Sequence, residues 1–185
     1  MTITTFTAIV SFLVLLSHVL FVLLAVSYLP LDPVRRFNTY LINLLKKYGQ
    51  LVATVIASVS LVSPLIFSNI YYLMPCNLCW YQRIFMFPIA ILLITAQIRG
   101  KAIDKVSMYV LAALGTITAL FHYVSQRLHS SAPGFFDGVV GCDAIGMSAS
   151  CSEFYFLEYG YITIPLMALT AFLFIAVAIF FSDKR

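Results

Sequence analysis

Residues 76–98 read CNLCWYQRIFMFPIAILLITAQI, so a cysteine pair opens an apolar segment that is long enough to cross a membrane. A hydrocarbon core requires about 20 apolar residues in helical form. Pro75 precedes the segment, and a proline costs nothing in the first turn of a helix because its N–H is not needed there. Cys76 and Cys79 are three residues apart, so they share one helical face, and Arg83 follows one turn later on that face.

The chain as a whole is strongly apolar. Of its 185 residues, 62% are hydrophobic and only 10% are charged, whereas globular proteins are roughly 25% charged. Four further apolar stretches are long enough to span, at about residues 6–29, 51–73, 106–126 and 161–181. Backbone in lipid must satisfy its own hydrogen bonds, so we expect an all-α integral membrane protein with five helices. The net charge of +4 is small and does not indicate a nucleic-acid partner.

The positive charges predict the orientation. If all five helices span, most lysines and arginines fall on one side: Arg35, Arg36, Lys46, Lys47, Arg99, Lys101, Lys105, Lys184 and Arg185. The positive-inside rule then places the C-terminus in the cytoplasm and the N-terminus outside, in a multi-pass cell-membrane protein. All four cysteines then lie on the extracytoplasmic face, where disulfides can persist.

The cysteines form two close pairs. Four cysteines allow three pairings, and the local spacing favours Cys76–Cys79 and Cys142–Cys151. The second pair falls in a connection of residues 127–160 that is rich in glycine and serine, a composition typical of a mobile loop. Such a loop suits a pair that exchanges with both an outside partner and the CxxC. The alternative is a plain structural disulfide that closes a small loop.

Other polar residues in the predicted helices are candidates for chemistry. The positive end of the helix dipole and Arg83 both favour a thiolate at Cys79, apolar surroundings oppose it, and we expect the positive contributions to prevail. Arg83 either supports that thiolate, stabilises the oxygen of a reduced electron acceptor, or extends to the headgroups. His122 and Gln126 share a face and are candidates to bind a quinone carbonyl, with helix-end polarity as the alternative. His18 is expected to bond a neighbouring helix.

Three stretches together resemble the DsbB family of disulfide-forming membrane proteins, in particular its short BdbC-like bacterial subgroup. They are CNLCWYQRIFMFP at residues 76–88, HYVSQ at residues 122–126, and the segment from Cys142 through Cys151 into GYITIPLMALTAF at residues 160–172. The resemblance implies an antiparallel four-helix redox bundle over residues 51–182. An extra transmembrane helix at residues 1–30 and a basic cytoplasmic connection at residues 31–50 precede it, and the familiar family members have four spans.

The same resemblance implies a thiol:quinone oxidoreductase. Its electron acceptor would be ubiquinone or menaquinone, and its partner an extracytoplasmic thioredoxin-fold oxidase of the DsbA type. Cys142 would be the sulfur attacked by that partner, Cys151 would exchange with Cys76, and Cys79 would contact the quinone. The quinone would be supported by Arg83 and, by a looser likeness, His122 and Gln126.

Three other functions fit parts of the pattern. A relative of vitamin K epoxide reductase would also have a CxxC and a loop pair, but in that family the loop pair comes first in the chain. A non-enzymatic protein with two structural disulfides predicts cysteines that never turn over. A metal carrier would need four ligands for a closed zinc site, and the eight residues between Cys142 and Cys151 fit zinc spacing poorly, so we expect no metal.

Overall fold

The described part of the chain folds into five helices. A computed structural model describes residues 3–26, 32–131 and 154–182, with side chains described for residues 3–23, 39–128 and 154–182. The helices are α1 (Ile3–Val26), α2 (Asp32–Asn69), α3 (Asn77–Ile98), α4 (Lys105–Ser131) and α5 (Ile164–Phe181). Each is long and apolar enough to cross a membrane, and the described residues contain no strand beyond one isolated bridge. The predicted all-α membrane protein is confirmed.

Helices α2 to α5 form the bundle, with α1 on its outside. Helix α2 packs against α3 and α5, and α4 packs against the same two helices, which closes a ring of four. The core of this ring is made of small and large apolar side chains, including Ala53, Ile89, Leu93, Phe172 and Ile175, each fully buried. Among the described helices, α1 packs against α2 and α5 alone. The predicted arrangement of a four-helix bundle plus one extra helix is therefore confirmed.

Two helix boundaries differ from the sequence-based expectation. Helix α2 begins at Asp32, so the basic segment expected as a separate connection continues directly into the second membrane helix. Its one early proline, Pro33, lies in the first turn, where a helix tolerates it. Helix α5 begins at Ile164 rather than near residue 161, because Tyr159 and Gly160 adopt positive φ angles of 51° and 75° in a turn that precedes it.

The two ends of the bundle differ in charge. At one end, Lys105 Nζ donates to the carbonyl of Ser182 at 2.7 Å, and Gln50 Nε2 donates to the carbonyl of Lys101 at 2.9 Å. These bonds hold the basic connection between α3 and α4 against the C-terminal end of α5 and against α2. At the opposite end, Arg127 Nη2 donates to the carbonyl of Gly160 at 3.0 Å, near the turn before α5. The CxxC lies at this second end, far from the basic cluster.

Polar contacts fix the position of α1. His18 Nε2 lies 3.1 Å from Thr170 Oγ1 of α5, and the Tyr161 hydroxyl lies 3.4 Å from His18 Nδ1. Nearer the CxxC end, Thr7 Oγ1 donates to Glu158 Oε1 at 3.3 Å. Because lipid is as apolar as the helix surface, polar bonds and close packing determine how membrane helices associate. These contacts set both the rotation and the depth of α1, and His18 bonds a neighbouring helix as expected.

A glycine allows α4 and α5 to approach closely. A Cβ added at Gly115 would lie 2.3 Å from the ring of Phe172, so we expect Gly115→Ala to lower the melting temperature in detergent by overpacking, at a cost of about 1–3 kcal/mol. Adding Phe172→Leu makes room and should recover part of the loss. Gly49→Ala is the control. Its Cβ would meet the backbone carbonyl of Ala178 at 2.4 Å rather than Phe172, so Phe172→Leu should not recover its loss. Equal losses with and without Phe172→Leu would contradict this packing.

Candidate active site

The CxxC forms the start of α3. Cys76 is the N-cap residue, with extended backbone angles, and its sulfur accepts the amide N–H of Cys79 at 3.4 Å. The two sulfurs lie 3.1 Å apart, and Cys76 is only 2% exposed whereas Cys79 is partly exposed. A small movement of either side chain joins the sulfurs. This pair can therefore alternate between dithiol and disulfide without rearranging the helix.

The electrostatics of the helix end act on Cys76. The pKa of Cys76 is lowered to about 4. The main cause is the hydrogen bond with the Cys79 thiol, and His122 contributes as well, whereas burial opposes the shift. The reduced pair consequently holds a thiolate at Cys76 at neutral pH. The sequence-based expectation assigned the benefit of the helix end to Cys79. In the structure the N-cap side chain turns back towards the first-turn amides, as N-cap residues do, so the benefit falls on the first cysteine.

A buried histidine and a buried glutamine stand behind this sulfur. His122 Nε2 lies 3.7 Å from Cys76 Sγ, and His122 Nδ1 lies 2.9 Å from Gln82 Nε2. An amide nitrogen only donates, so Nδ1 is the acceptor and the neutral ring carries its proton on Nε2, facing the sulfur. The tautomer is assigned from this hydrogen-bond pattern. Gln82 was not among the site residues predicted from the sequence, although it lies three residues after Cys79 on the same helical face.

Arg83 joins α3 to the end of α2. Its Nη2 donates to the carbonyl of Pro64 at 3.0 Å and to Ser68 Oγ at 2.6 Å, and the Trp80 ring lies 5.2 Å from its guanidinium carbon. The side chain is 9% exposed, so it lies inside the protein rather than extending away from it. Both hydrogen-bond acceptors are neutral, and the charge interacts with both cysteine sulfurs. The cation is thereby held close to the CxxC.

The other predicted site residues divide into two groups. Gln126 is buried and lines a small pocket together with Cys76, Cys79 and His122, so the structure brings these four predicted residues together. Cys142 and Cys151 lie outside the described residues. The predicted exchange between the loop pair and the CxxC stays a prediction.

A larger cavity lies beside the CxxC. It has a volume of about 430 Å³ and is bounded by α1, α2, α3 and α5. Cys79, Gln82 and Arg83 supply polar atoms to its wall, and most of the remaining lining is apolar, including Val59, Phe67, Met86 and Phe172. Ligand sites in proteins have volumes of about 300–1,000 Å³ and combine apolar walls with a few placed polar groups. The cavity has this character, and Cys79 of the CxxC forms part of its wall.

The same cluster has ligand atoms that could suit a metal. The sulfurs of Cys76 and Cys79 and a ring nitrogen of His122 lie within 4.8 Å of one another. Within the described part of the chain this group contains three candidate ligands, one fewer than a closed zinc site requires. The expectation that no metal binds stays a prediction.

A CxxC at the end of a membrane helix bundle, next to a histidine and an arginine, is the arrangement expected of a membrane thiol–disulfide oxidoreductase. The chain belongs to the DsbB family: the family described as "Disulfide bond formation protein DsbB" matches residues 46–182. The match includes the CxxC, His122 and all of α3 to α5.

Named relatives agree with this assignment. "Disulfide bond formation protein C" of Bacillus subtilis (strain 168) is 36% identical over 123 residues, which are 66% of this chain and 83% of that protein. "Probable disulfide formation protein C" of Halalkalibacterium halodurans is 34% identical over 121 residues, 64% of this chain and 81% of that protein. "SPbeta prophage-derived disulfide bond formation protein B" of Bacillus subtilis (strain 168) is 35% identical over 108 residues, 58% of this chain and 67% of that protein. No solved structure matches.

The lowered pKa of Cys76 gives a test of this geometry. In reduced protein with Cys142→Ser and Cys151→Ser, a pKa near 4 means that the thiolate persists as pH falls to about 4. The alkylation rate of Cys76, followed by mass spectrometry, should therefore be flat between about pH 5 and 8, whereas an ordinary cysteine titrates near 8.5. Cys79→Ala should raise the pKa most and His122→Ala less.

Thr118→Ala, one turn earlier on α4 than His122, is the matched control and should leave the pH profile unchanged. An inflection near pH 8.5 in the parent protein would contradict the assigned thiolate.

Proposed function

We propose that this disulfide-forming membrane protein is a thiol:quinone oxidoreductase. It reoxidises an extracytoplasmic thioredoxin-fold oxidase of the DsbA type and passes the electrons to a membrane quinone, ubiquinone or menaquinone. The single observation that carries the proposal is the cavity of about 430 Å³ that joins an apolar interior to Cys79 and Arg83. An electron acceptor that is soluble in lipid fits such a site, because it enters from the bilayer and reaches a sulfur without crossing water.

The lining residues fit a quinone. Its ring would lie at the polar part of the cavity, where Arg83 is positioned to stabilise negative charge on a ring oxygen and Gln82 and Cys79 complete the wall. A bound quinone supplies an acceptor of two electrons and two protons. His122 and Gln126, beside Cys76, are proposed to order the sulfur side of the site.

The cysteines of this chain are proposed to carry the electrons in four thiol–disulfide exchange steps. A thiolate of the partner attacks the Cys142–Cys151 disulfide at Cys142, and a second partner thiolate then releases the partner as a disulfide. The thiolate of Cys151 attacks Cys76 and frees Cys79 next to Arg83. Attack by Cys142 on Cys151 restores the loop disulfide and expels Cys76, whose low pKa makes it a good leaving group.

The electron and proton balance closes at the CxxC. The Cys76 thiolate and the Cys79 thiol become a disulfide as two electrons and one proton leave them, and the quinol takes its second proton from solvent, to which the exchange steps released one. The net reaction converts a partner dithiol and a quinone into a partner disulfide and a quinol. The thiolate at Cys76 lies 3.7 Å from His122 Nε2, whose N–H is positioned to stabilise the negative charge on the sulfur.

The proposed orientation follows from the two ends of the bundle. The CxxC end, which also holds the N-terminal part of α1, is proposed to face outward. The basic end, with Lys101 and Lys105, is proposed to face the cytoplasm, in agreement with the positive-inside rule. In this arrangement the redox bundle comprises residues 51–182, and the connection of residues 127–160 presents the second cysteine pair to the outside partner.

The cysteines give the direct test of the proposed function. With a reduced thioredoxin-fold protein as electron donor, the purified protein should reduce ubiquinone or menaquinone, read as the loss of quinone absorbance. Cys76→Ser and Cys79→Ser should each abolish turnover, because either change removes a redox-active sulfur. Full activity in either variant would exclude this mechanism. Zinc in the purified protein together with no quinone reduction would support the metal carrier instead.

Arg83 gives a test of the acceptor site. Arg83→Gln should lower kcat/KM for quinone on the order of a hundredfold, because one preorganised charge at the reacting oxygen is lost. Arg83→Lys should retain part of the activity. Arg127→Gln is the matched control, since Arg127 lies at the same end of the bundle but bonds Gly160 and Tyr123. Equal losses in the Arg83 and Arg127 variants would mean that Arg83 contributes only to the general positive potential at the CxxC end of the bundle and makes no specific contact with the quinone.

A further inference from the structure

Helix α1 contributes to the same cavity, although it lies outside the part of the chain that matches the family. We propose that α1 forms one wall of a binding groove for the isoprenoid tail of the quinone, so that the extra helix determines which tail lengths are accepted. This inference rests on the proposed function and assigns the tail site within it.

The cavity is bounded by α1 over a long distance. Its lining includes Val10, Leu13, Val14, Ser17 and Leu20 of this helix. From Val10 to Leu20 a helix rises about 15 Å, at 1.5 Å per residue. The facing wall of α2 runs from residue 55 to residue 67, a similar length. The cavity is therefore elongated along the helix axes, a shape suited to a linear chain rather than to a compact ring.

The chemistry of this elongated part suits a hydrocarbon. Ser17 and Ser63 line it, but their hydroxyls donate to the carbonyls of Val14 at 2.6 Å and Val59 at 2.8 Å within their own helices. These serines provide space without offering a free donor. Thr170 Oγ1 likewise donates to the carbonyl of Leu166 at 2.8 Å, and Ser60 also lines this part, whereas Cys79, Gln82 and Arg83 lie on the CxxC side. An occupant with one redox-active head and a long apolar tail matches this distribution.

The position of α1 is specific enough for such a role. Its contacts with α5 through His18 and Thr170, and with the turn before α5 through Thr7 and Glu158, hold it at both ends of the cavity. Aromatic contacts add to this, with the rings of Phe21 and Phe174 at 5.0 Å. A helix that was only a membrane anchor would not require polar bonds along its length to a redox bundle.

The test compares two matched substitutions on α1. Val10→Phe places a ring in the cavity, whereas Val19→Phe places the same ring at a position that is 53% exposed and does not line the cavity. Trp80 is the single tryptophan of the chain and lies against Arg83, so quenching of its fluorescence reports quinone binding without turnover. Two quinones with the same ring are titrated, one with several isoprene units and one with no tail.

The wild type and Val19→Phe should bind the tailed quinone about tenfold more tightly than the tail-less one. Val10→Phe should lose this preference and keep the wild-type affinity for the tail-less quinone, which also shows that it is folded. Ser17→Phe, deeper along the same wall, is the second variant and should behave in the same way.

Equal binding of both quinones by the wild type, or an unchanged preference in both cavity variants, would overturn the assignment of the tail groove. The second result would leave a lipid acyl chain as its occupant. If those results came with normal quinone reduction, the proposed function would stand. A wild type that binds and reduces no quinone at all would overturn both.

Discussion

The hydrogen bond from the Cys79 amide to the Cys76 sulfur is the contact on which the geometry of the CxxC end depends. It exists because α3 begins at the CxxC, so the first cysteine caps a helix whose remaining length is apolar. The same start of the helix sets Gln82 and Arg83 one turn further along, facing His122 and the end of α2. A shift of one residue in the register of α3 would move all of these side chains by about 100° around the axis.

Lipid imposes the second constraint. A polar group inside a membrane protein must find its partner within the protein, and here nearly every such group near the CxxC does so. Arg83 bonds to the end of α2, where helix carbonyls carry partial negative charge. His122 bonds to Gln82. These bonds lock the site before any acceptor arrives, and a preorganised charge of this kind is what stabilises charge that develops during a reaction.

Much of this architecture is readable from the sequence. The five apolar stretches, the basic residues on one side and the CxxC at a helix start predict the bundle and the end at which chemistry lies. The contact of His122 with Cys76 was not predicted, since the family resemblance placed His122 beside the quinone rather than beside a sulfur. Gln82 was not predicted because its partner His122 is forty residues away in the sequence. Periodicity within one helix does not show which residue of another helix a side chain contacts.

Local patterns also left other features open. The CxxC pattern does not say which sulfur turns back to cap the helix, because that depends on the backbone angles of Cys76. The continuity of α2 from Asp32 was hidden because a basic amphipathic segment is helical whether or not it joins a span. The cavity lies between four helices, so no single stretch of sequence predicts it.

The central claim is that the CxxC hands two electrons directly to a quinone. A single-turnover measurement tests it most directly, with Cys142 and Cys151 both replaced by serine and the remaining pair reduced. On addition of one equivalent of quinone under anaerobic conditions, two thiols should disappear for each quinol formed. If both thiols persist, or if quinol forms without loss of thiols, the claim is contradicted.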